Sequence, residues 1–155
     1  MLKSFVSGLA AMAMITGAAH ADGPLKSTLE AYIVSVDADG VETLTPTEEI
    51  TPGETIEYTL VYENIGTNPL SGLVVSAPVP ASTVFVEGSA DTEIPAIFEV
   101  SIDDGATWFS PPLEIVTDEG ETTVPASEYD MVRWVPETSI ESGAEWRFEY
   151  RTAVQ

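Results

Sequence analysis

The chain has no cysteine, and its one histidine, His20, lies near the amino terminus. Without cysteine no disulfide can form, so packing alone must hold the folded state. Triad hydrolases usually need a histidine base, and zinc sites draw mainly on histidine and cysteine. A glycosidase with two carboxylates stays chemically permitted, but among 26 acidic residues no pair stands out. We therefore expect no enzymatic activity and no catalytic residues.

Basic residues are scarce, with 5 against 26 acidic ones, so the formal net charge is −21. Such a surface repels nucleic acid phosphates and anionic lipid headgroups, and we expect neither as a partner. Two explanations compete for the acidic excess. It provides either a solvated surface for salty surroundings, where screening acts over about 10 Å, or specific calcium binding. The acids are spread along the chain, which favours the first explanation.

The first 21 residues have the layout of a secretory signal peptide. Lys3 supplies a positive start, residues 5–19 are apolar or small, and Ala19-His20-Ala21 is a small-x-small cleavage site before Asp22. The apolar stretch is shorter than the roughly 20 residues that span a bilayer, so a retained anchor helix is the less favoured alternative. This pattern predicts an exported chain, periplasmic or extracellular, without stable membrane insertion. Residues 22–155 are expected to form a single domain, which lacks histidine altogether.

Two segments predict β-strands with one apolar and one polar face. In residues 55–63 apolar and aromatic side chains alternate with polar ones, and residues 145–151 repeat this alternation. Successive side chains of a strand point to opposite faces, so both segments match a strand at a core. The predicted inward residues are Ile56, Tyr58, Leu60, Tyr62, Trp146, Phe148 and Tyr150, and the outward ones include Thr55, Glu57, Thr59, Glu63, Arg147, Glu149 and Arg151.

Turn-forming residues divide the remaining chain into short β-rich segments. Strands are predicted at residues 27–36, 70–76, 83–86, 97–102, 113–116 and 131–135, with a short edge strand in the loop 42–51. No segment has sustained helical periodicity. Seven to nine short strands, separated by turns at intervals of about 8–12 residues, are typical of an antiparallel β-sandwich.

Eight segments together resemble one known family. They are residues 52–58 (PGETIEY), 62–66 (YENIG), 73–75 (LVV), 78–80 (PVP), 84–86 (VFV), 88–90 (GSA), 132–134 (VRW) and 142–143 (SG). The chain is similar over about residues 41–152 to the bacterial and archaeal conserved-repeat domain of unknown function eleven. The resemblance implies an immunoglobulin-like sandwich on an envelope or secreted protein, usually without catalysis, and carries over no catalytic residue. Ala77 departs from the usual acidic residue, and Ser82 stands where glycine is frequent.

Several aspartates are candidates for a calcium site. Residues 101–108 match the Asp-box pattern S-x-D-x-G-x-T-W, in which the aspartate accepts backbone hydrogen bonds across a turn and glycine supplies a positive φ. We expect this turn to be structural. Residues 37–40 (DADG) begin like a calcium loop but do not continue as one, which favours an Asx turn. Asp37 and Asp39 are the calcium candidates of that segment. If their loops met at one end of the sandwich, Asp103, Asp104 and Asp118, with Glu119 and Glu121, could also hold calcium, the one cofactor considered.

The three tryptophans allow two interpretations. Trp108, Trp134 and Trp146 could form a platform for stacking sugars, but their places on alternating strands or below a turn favour the core. The sequence as a whole predicts a non-catalytic structural or interaction module of the cell envelope, whose partners are other envelope proteins or further copies of itself. The alternatives are a calcium- or carbohydrate-binding adhesin module, and a polymer subunit in which residues 28–36 insert into a neighbour as a strand.

Overall fold

The computed structural model describes residues 23–47 and 49–155; the predicted signal peptide lies outside the described residues. These residues form eleven β-strands and a short 3-10 helix at Ala126–Glu128, so the predicted all-β class is confirmed. The strands are β1 (Leu25–Val36), β2 (Glu42–Pro46), β3 (Thr55–Asn64), β4 (Val75–Pro78), β5 (Thr83–Phe85), β6 (Asp91–Thr92), β7 (Ala96–Ser101), β8 (Glu114–Thr117), β9 (Gly120–Thr123), β10 (Met131–Pro136) and β11 (Glu145–Val154). Within the described ranges, no helix has the length and apolar character that a membrane crossing requires.

The larger sheet has the strand order β2-β1-β3-β11-β5, with β6 also paired to β11. All of its pairings are antiparallel. Leu60 lies opposite Phe148 and Tyr58 opposite Tyr150, so these side chains share one face. The two strands predicted most firmly from alternation, β3 and β11, are therefore neighbours with their apolar rows in register.

The smaller sheet, β4-β10-β7, packs against this apolar face. Trp134 of β10 is 1% exposed, and its ring centroid lies 5.5 Å from that of Phe148 and 6.1 Å from that of Tyr150. Burying such a side chain contributes roughly 2–3 kcal/mol, so these aromatic contacts are a main source of stability. Two antiparallel sheets with their apolar side chains in mutual contact are compatible with a β-sandwich.

One predicted strand begins later than its sequence indicates. Residues 70–74 are not in a strand, although Leu70 forms an isolated bridge with Ile140, and β4 begins at Val75. Gly72 has a φ of 74°, and this left-handed conformation interrupts the extended backbone. The strand number also exceeds the predicted seven to nine, because short pieces such as β6 and β9 pair as well.

The larger sheet extends past the smaller one by the two strands β1 and β2. Phe98 of β7 stacks on Phe85 of β5, and Trp134 of β10 packs on β11, so the smaller sheet covers the half of the larger sheet formed by β5, β11 and β3. Every residue of β1 is exposed or half-buried, and every residue of β2 is exposed. The inward side of these two strands therefore has no sheet above it among the described residues.

Candidate functional site

The Asp-box segment forms a closed turn, as predicted. Asp103 accepts hydrogen bonds from the backbone N–H of Thr107 at 2.8 Å and from the Ser101 hydroxyl at 2.9 Å. The hydrogen bond from the Thr107 side chain is the main reason why the pKa of Asp103 is lowered. A Cβ on Gly105, where φ is 82°, would lie 3.1 Å from the Trp108 ring, so glycine is required there. The carboxylate of Asp103 is thus committed to the turn.

The other calcium candidates lie in separate turns. Asp37 accepts backbone hydrogen bonds from Asp39 and Val41, both at 2.9 Å, which is the predicted Asx turn between β1 and β2. The N–H of Asp104 donates to the Asp130 carboxylate, and Asp118 lies in the turn between β8 and β9. Within residues 23–47 and 49–155, no three His, Cys, Asp or Glu side chains are placed to hold one metal ion. Calcium binding stays a prediction, which melting curves with and without chelator would test.

A charged cluster that the sequence interpretation missed joins three strands on the outer side of the larger sheet. Arg151 of β11 donates to both carboxylate oxygens of Glu42 on β2, at 2.9 and 2.8 Å, and its Nε donates to Glu57 of β3 at 2.8 Å. Hydrogen bonding to Arg151 lowers the pKa of Glu42, and the same contact is the main cause of a raised arginine pKa. Glu57 is 6% exposed, so the prediction that its side chain faces solvent is wrong.

An open cleft of about 470 Å³ lies beside this cluster, along the loop between β5 and β6. Its acidic lining comes from Glu57, Glu87, Asp91 and Glu149, and Arg151 supplies the positive charge. Burial, and then the negative charge of Glu57, raise the pKa of Glu149. Arg151 is already bonded to two carboxylates, so the positive group of the cleft takes part in the contacts between strands.

The tryptophans are mainly core residues, as predicted. Trp134 and Trp146 are buried, and Trp108 is half-buried below the guanidinium of Arg133, whose Cζ lies 4.4 Å from the ring centroid. Arg133 in turn donates to Glu99 at 2.7 Å. The three indoles do not share one exposed surface, so the stacking platform considered from the sequence is not formed.

The inward side of the overhanging strands is an exposed surface without charged residues. We call it the open face, and define it by the inward residues of β1 and β2 and the half-buried tyrosines of β3. Leu29 is 48% exposed although it lies opposite the buried Leu60, and Ile33 lies opposite the buried Ile56. None of the residues of the open face is charged: Ser27, Leu29, Ala31, Ile33, Ser35, Thr43, Thr45, Tyr58 and Tyr62.

The open face borders a free strand edge. Val79 donates its N–H to Asp130 on the β10 side at 2.8 Å. In an antiparallel strand the backbone groups of successive residues point to alternate sides, so those of Ser76 point away from β10. Within the described ranges, no strand pairs with β4 on that side. A sheet edge with free backbone groups and a neighbouring apolar floor can accept an added strand.

These features define an all-β protein with antiparallel sheets, whose polar clusters hold turns and strands together and whose uncharged, partly apolar open face is exposed. In comparisons with protein-family models, curated proteins and solved structures, no match to the chain was found.

Proposed function

We propose that this protein is a non-catalytic structural or interaction module of the cell envelope, exported to the periplasm or the exterior. One observation carries the proposal: an uncharged, partly apolar sheet face is exposed on a chain of net charge −21. Depletion of charge and exposed apolar area are typical of surfaces that bind other proteins.

The polar clusters support the same function. The Asp103 carboxylate is bonded to Ser101 and Thr107, and Arg151 is bonded to Glu42 and Glu57. Both charged groups are held by partners within the fold. These contacts favour a role in which surface shape, rather than a reaction, provides the function.

The proposal includes an immunoglobulin-like sandwich and membership of the conserved-repeat family that the sequence resembles. The φ of 65° at Ser82 supports this, because the family frequently has glycine there. The strand order differs from the constant-type immunoglobulin arrangement, in which the last two strands of the chain lie in the same sheet. Here β10 lies in the smaller sheet and β11 in the larger one. The proposed likeness is therefore one of architecture, not of strand order.

The test is export followed by crosslinking in the living cell. We expect the mature chain to begin at Asp22, which mass spectrometry of the envelope fraction would establish. A photo-reactive residue placed at Leu29 should give adducts with an envelope component, whereas one at the exposed Glu137 should serve as a background control. An unprocessed chain in the cytoplasm, or equal background at every exposed position, would overturn the proposal.

A further inference from the structure

We propose that the free edge of β4 accepts an extended strand from a partner protein, which covers the open face as a fourth strand of the smaller sheet. The strand would have apolar residues at alternate positions and basic residues at its ends. This inference rests on the function proposed above and adds the surface, the binding mode and the chemistry of the partner.

The first argument is the unequal size of the two sheets. The smaller sheet ends at β4, which lies above β3 and β11: the Tyr150 hydroxyl donates to the Pro78 carbonyl at 2.8 Å. Tyr58 stacks on Tyr150 with ring centroids 5.0 Å apart, so the ring of Tyr58 lies at the border between the covered and uncovered halves. Neighbouring strands of a sheet are about 4.8 Å apart, so one more strand beside β4 would lie above β1.

The second argument is the hydrogen-bonding capacity of that edge. The N–H and C=O of Ser76 point away from β10 and are available to an added strand. Both edge strands are short and end in proline, β2 at Pro46 and β4 at Pro78, but β2 also presents the charged Glu42, which discourages pairing, whereas β4 has no charged residue. The edge of β4 is thus the better acceptor of the two.

The third argument concerns charge and decides which partner fits. A second copy of this chain would also carry a net charge of −21, and the repulsion between the two copies opposes self-association. Asp37 and Asp39 stand at one end of the open face, in the turn after β1, while the face itself is uncharged. A strand with apolar alternate residues and basic ends therefore matches both the floor and the surrounding potential.

The test uses a labelled peptide of alternating valine and threonine with two lysines at each end, and fluorescence anisotropy with the chain purified after export. Leu29→Asp places a charge on the open face, and Thr28→Asp places the same charge on the adjacent exposed residue of the opposite face. We expect Leu29→Asp to weaken binding at least tenfold and Thr28→Asp to change it less than twofold. Equal effects of both variants would overturn the proposal, as would absence of binding at millimolar peptide.

A second pair of variants tests strand addition without changing charge. Ser76→Pro removes the outward N–H of β4, and Ser76→Ala is its control because it keeps that group. We expect the proline variant alone to weaken binding about tenfold, and a peptide N-methylated at alternate residues to bind as weakly to the wild-type chain. If the N-methylated peptide binds equally well, strand addition is wrong.

If something other than a partner strand covers the open face, the experiments give different results. A dimer in sedimentation equilibrium that Leu29→Asp dissociates would assign the face to a second copy and overturn the partner proposal. Peptide binding by the exported chain but not by the unprocessed chain, which keeps residues 1–21, would assign the face to that segment, with the same consequence. If envelope crosslinks persist while the peptide fails to bind, this inference is wrong but the proposed function stands; if crosslinks are absent as well, both are wrong.

Discussion

Asn64 connects three segments of the chain through one buried side chain. Its amide nitrogen donates to the carbonyls of Asn68 and Ile140 at 2.8 and 2.9 Å, and its oxygen accepts from the N–H of Gly66 at 3.0 Å. These bonds hold the loop after β3 against the loop before β11. Asparagine is suited to this position because its amide has both donors and an acceptor.

We predict that Asn64→Asp lowers the free energy of unfolding by about 3 kcal/mol or more. The change keeps the shape but removes two donors and buries a charge, so the Asn68 carbonyl loses this partner and the Ile140 carbonyl keeps only its bond from the N–H of Leu70. Asn68→Asp is the matched control, because that side chain is exposed and we expect a change within about 0.5 kcal/mol. Urea unfolding of both variants measures the difference, and similar losses would contradict the role assigned to Asn64.

Ser82 has a costly backbone conformation, with a φ of 65° at an exposed position. The left-handed region costs a non-glycine residue about 1–2 kcal/mol, whereas glycine loses about 0.5–1 kcal/mol of unfolded-state entropy. We predict that Ser82→Gly stabilises the protein by about 0.5–1 kcal/mol and that Ser82→Ala has little effect. Thermal melting of the two variants checks this, and destabilisation by glycine would show that the turn is not strained.

At the scale of the strands, Arg151 fastens the hairpin of β1 and β2 to the rest of the larger sheet. The hairpin is paired to β3 through β1 and packs little apolar surface against the smaller sheet, so the contact from β11 to β2 is an additional attachment of its outer strand. We predict that Arg151→Met lowers the free energy of unfolding by about 3–5 kcal/mol, because Glu57 is left buried without a counter-charge.

Arg147→Met is the matched control for this prediction. Arg147 is on the same strand and outer side, but its pairs with Glu145 and Glu149 are long, at 3.9 and 4.0 Å, and exposed. We expect a loss of less than about 1 kcal/mol. Equal losses in denaturant unfolding would mean that the Arg151 contacts are not what fastens the hairpin.

Alternation predicted the position of β3 and β11 well, but not which side chains are buried on their outer face. The row of Thr55, Glu57 and Thr59 has the composition of a solvated face, yet Glu57 and Thr59 are buried. Their burial depends on Arg151 and on the hairpin of β1 and β2, which are distant in sequence. For the same reason the open face was not predicted: whether β1 is covered depends on how far the smaller sheet extends, and no local pattern encodes that.

At the scale of the whole molecule, the acidic excess makes the stability depend on pH and salt. Glu149 is partly desolvated and lies near the negative charges of Glu57 and Asp91, so its pKa is raised. When the folded-state pKa of a carboxyl group lies above its unfolded-state pKa, protonation of that group favours the folded state. This contribution to stability is lost as the pH rises through the folded-state pKa.

We therefore predict that Glu149→Gln raises the melting temperature at pH 7 and leaves it nearly unchanged at about pH 4, where the wild-type group is largely protonated. Glu145→Gln is the control, since it makes the same change at an exposed position of the same strand and should have little effect at either pH. Scanning calorimetry at both values measures the effect. A larger gain in melting temperature at pH 4 than at pH 7 would contradict the raised pKa of Glu149.

The arrangement of β1, β3 and β11 also has a mechanical consequence. The first described residues lie at the Asn64 end of β3, where the N–H of Ile65 donates to the Pro24 carbonyl. The last residues lie at the other end of β3, where the N–H of Val154 donates to the Glu54 carbonyl. Both β1 and β11 pair with β3 along most of its length. Tension applied between Gly23 and Gln155 therefore loads both ladders in shear, so that their hydrogen bonds resist together rather than opening one by one. Single-molecule extension should show one high rupture force, a property suited to a link that bears load.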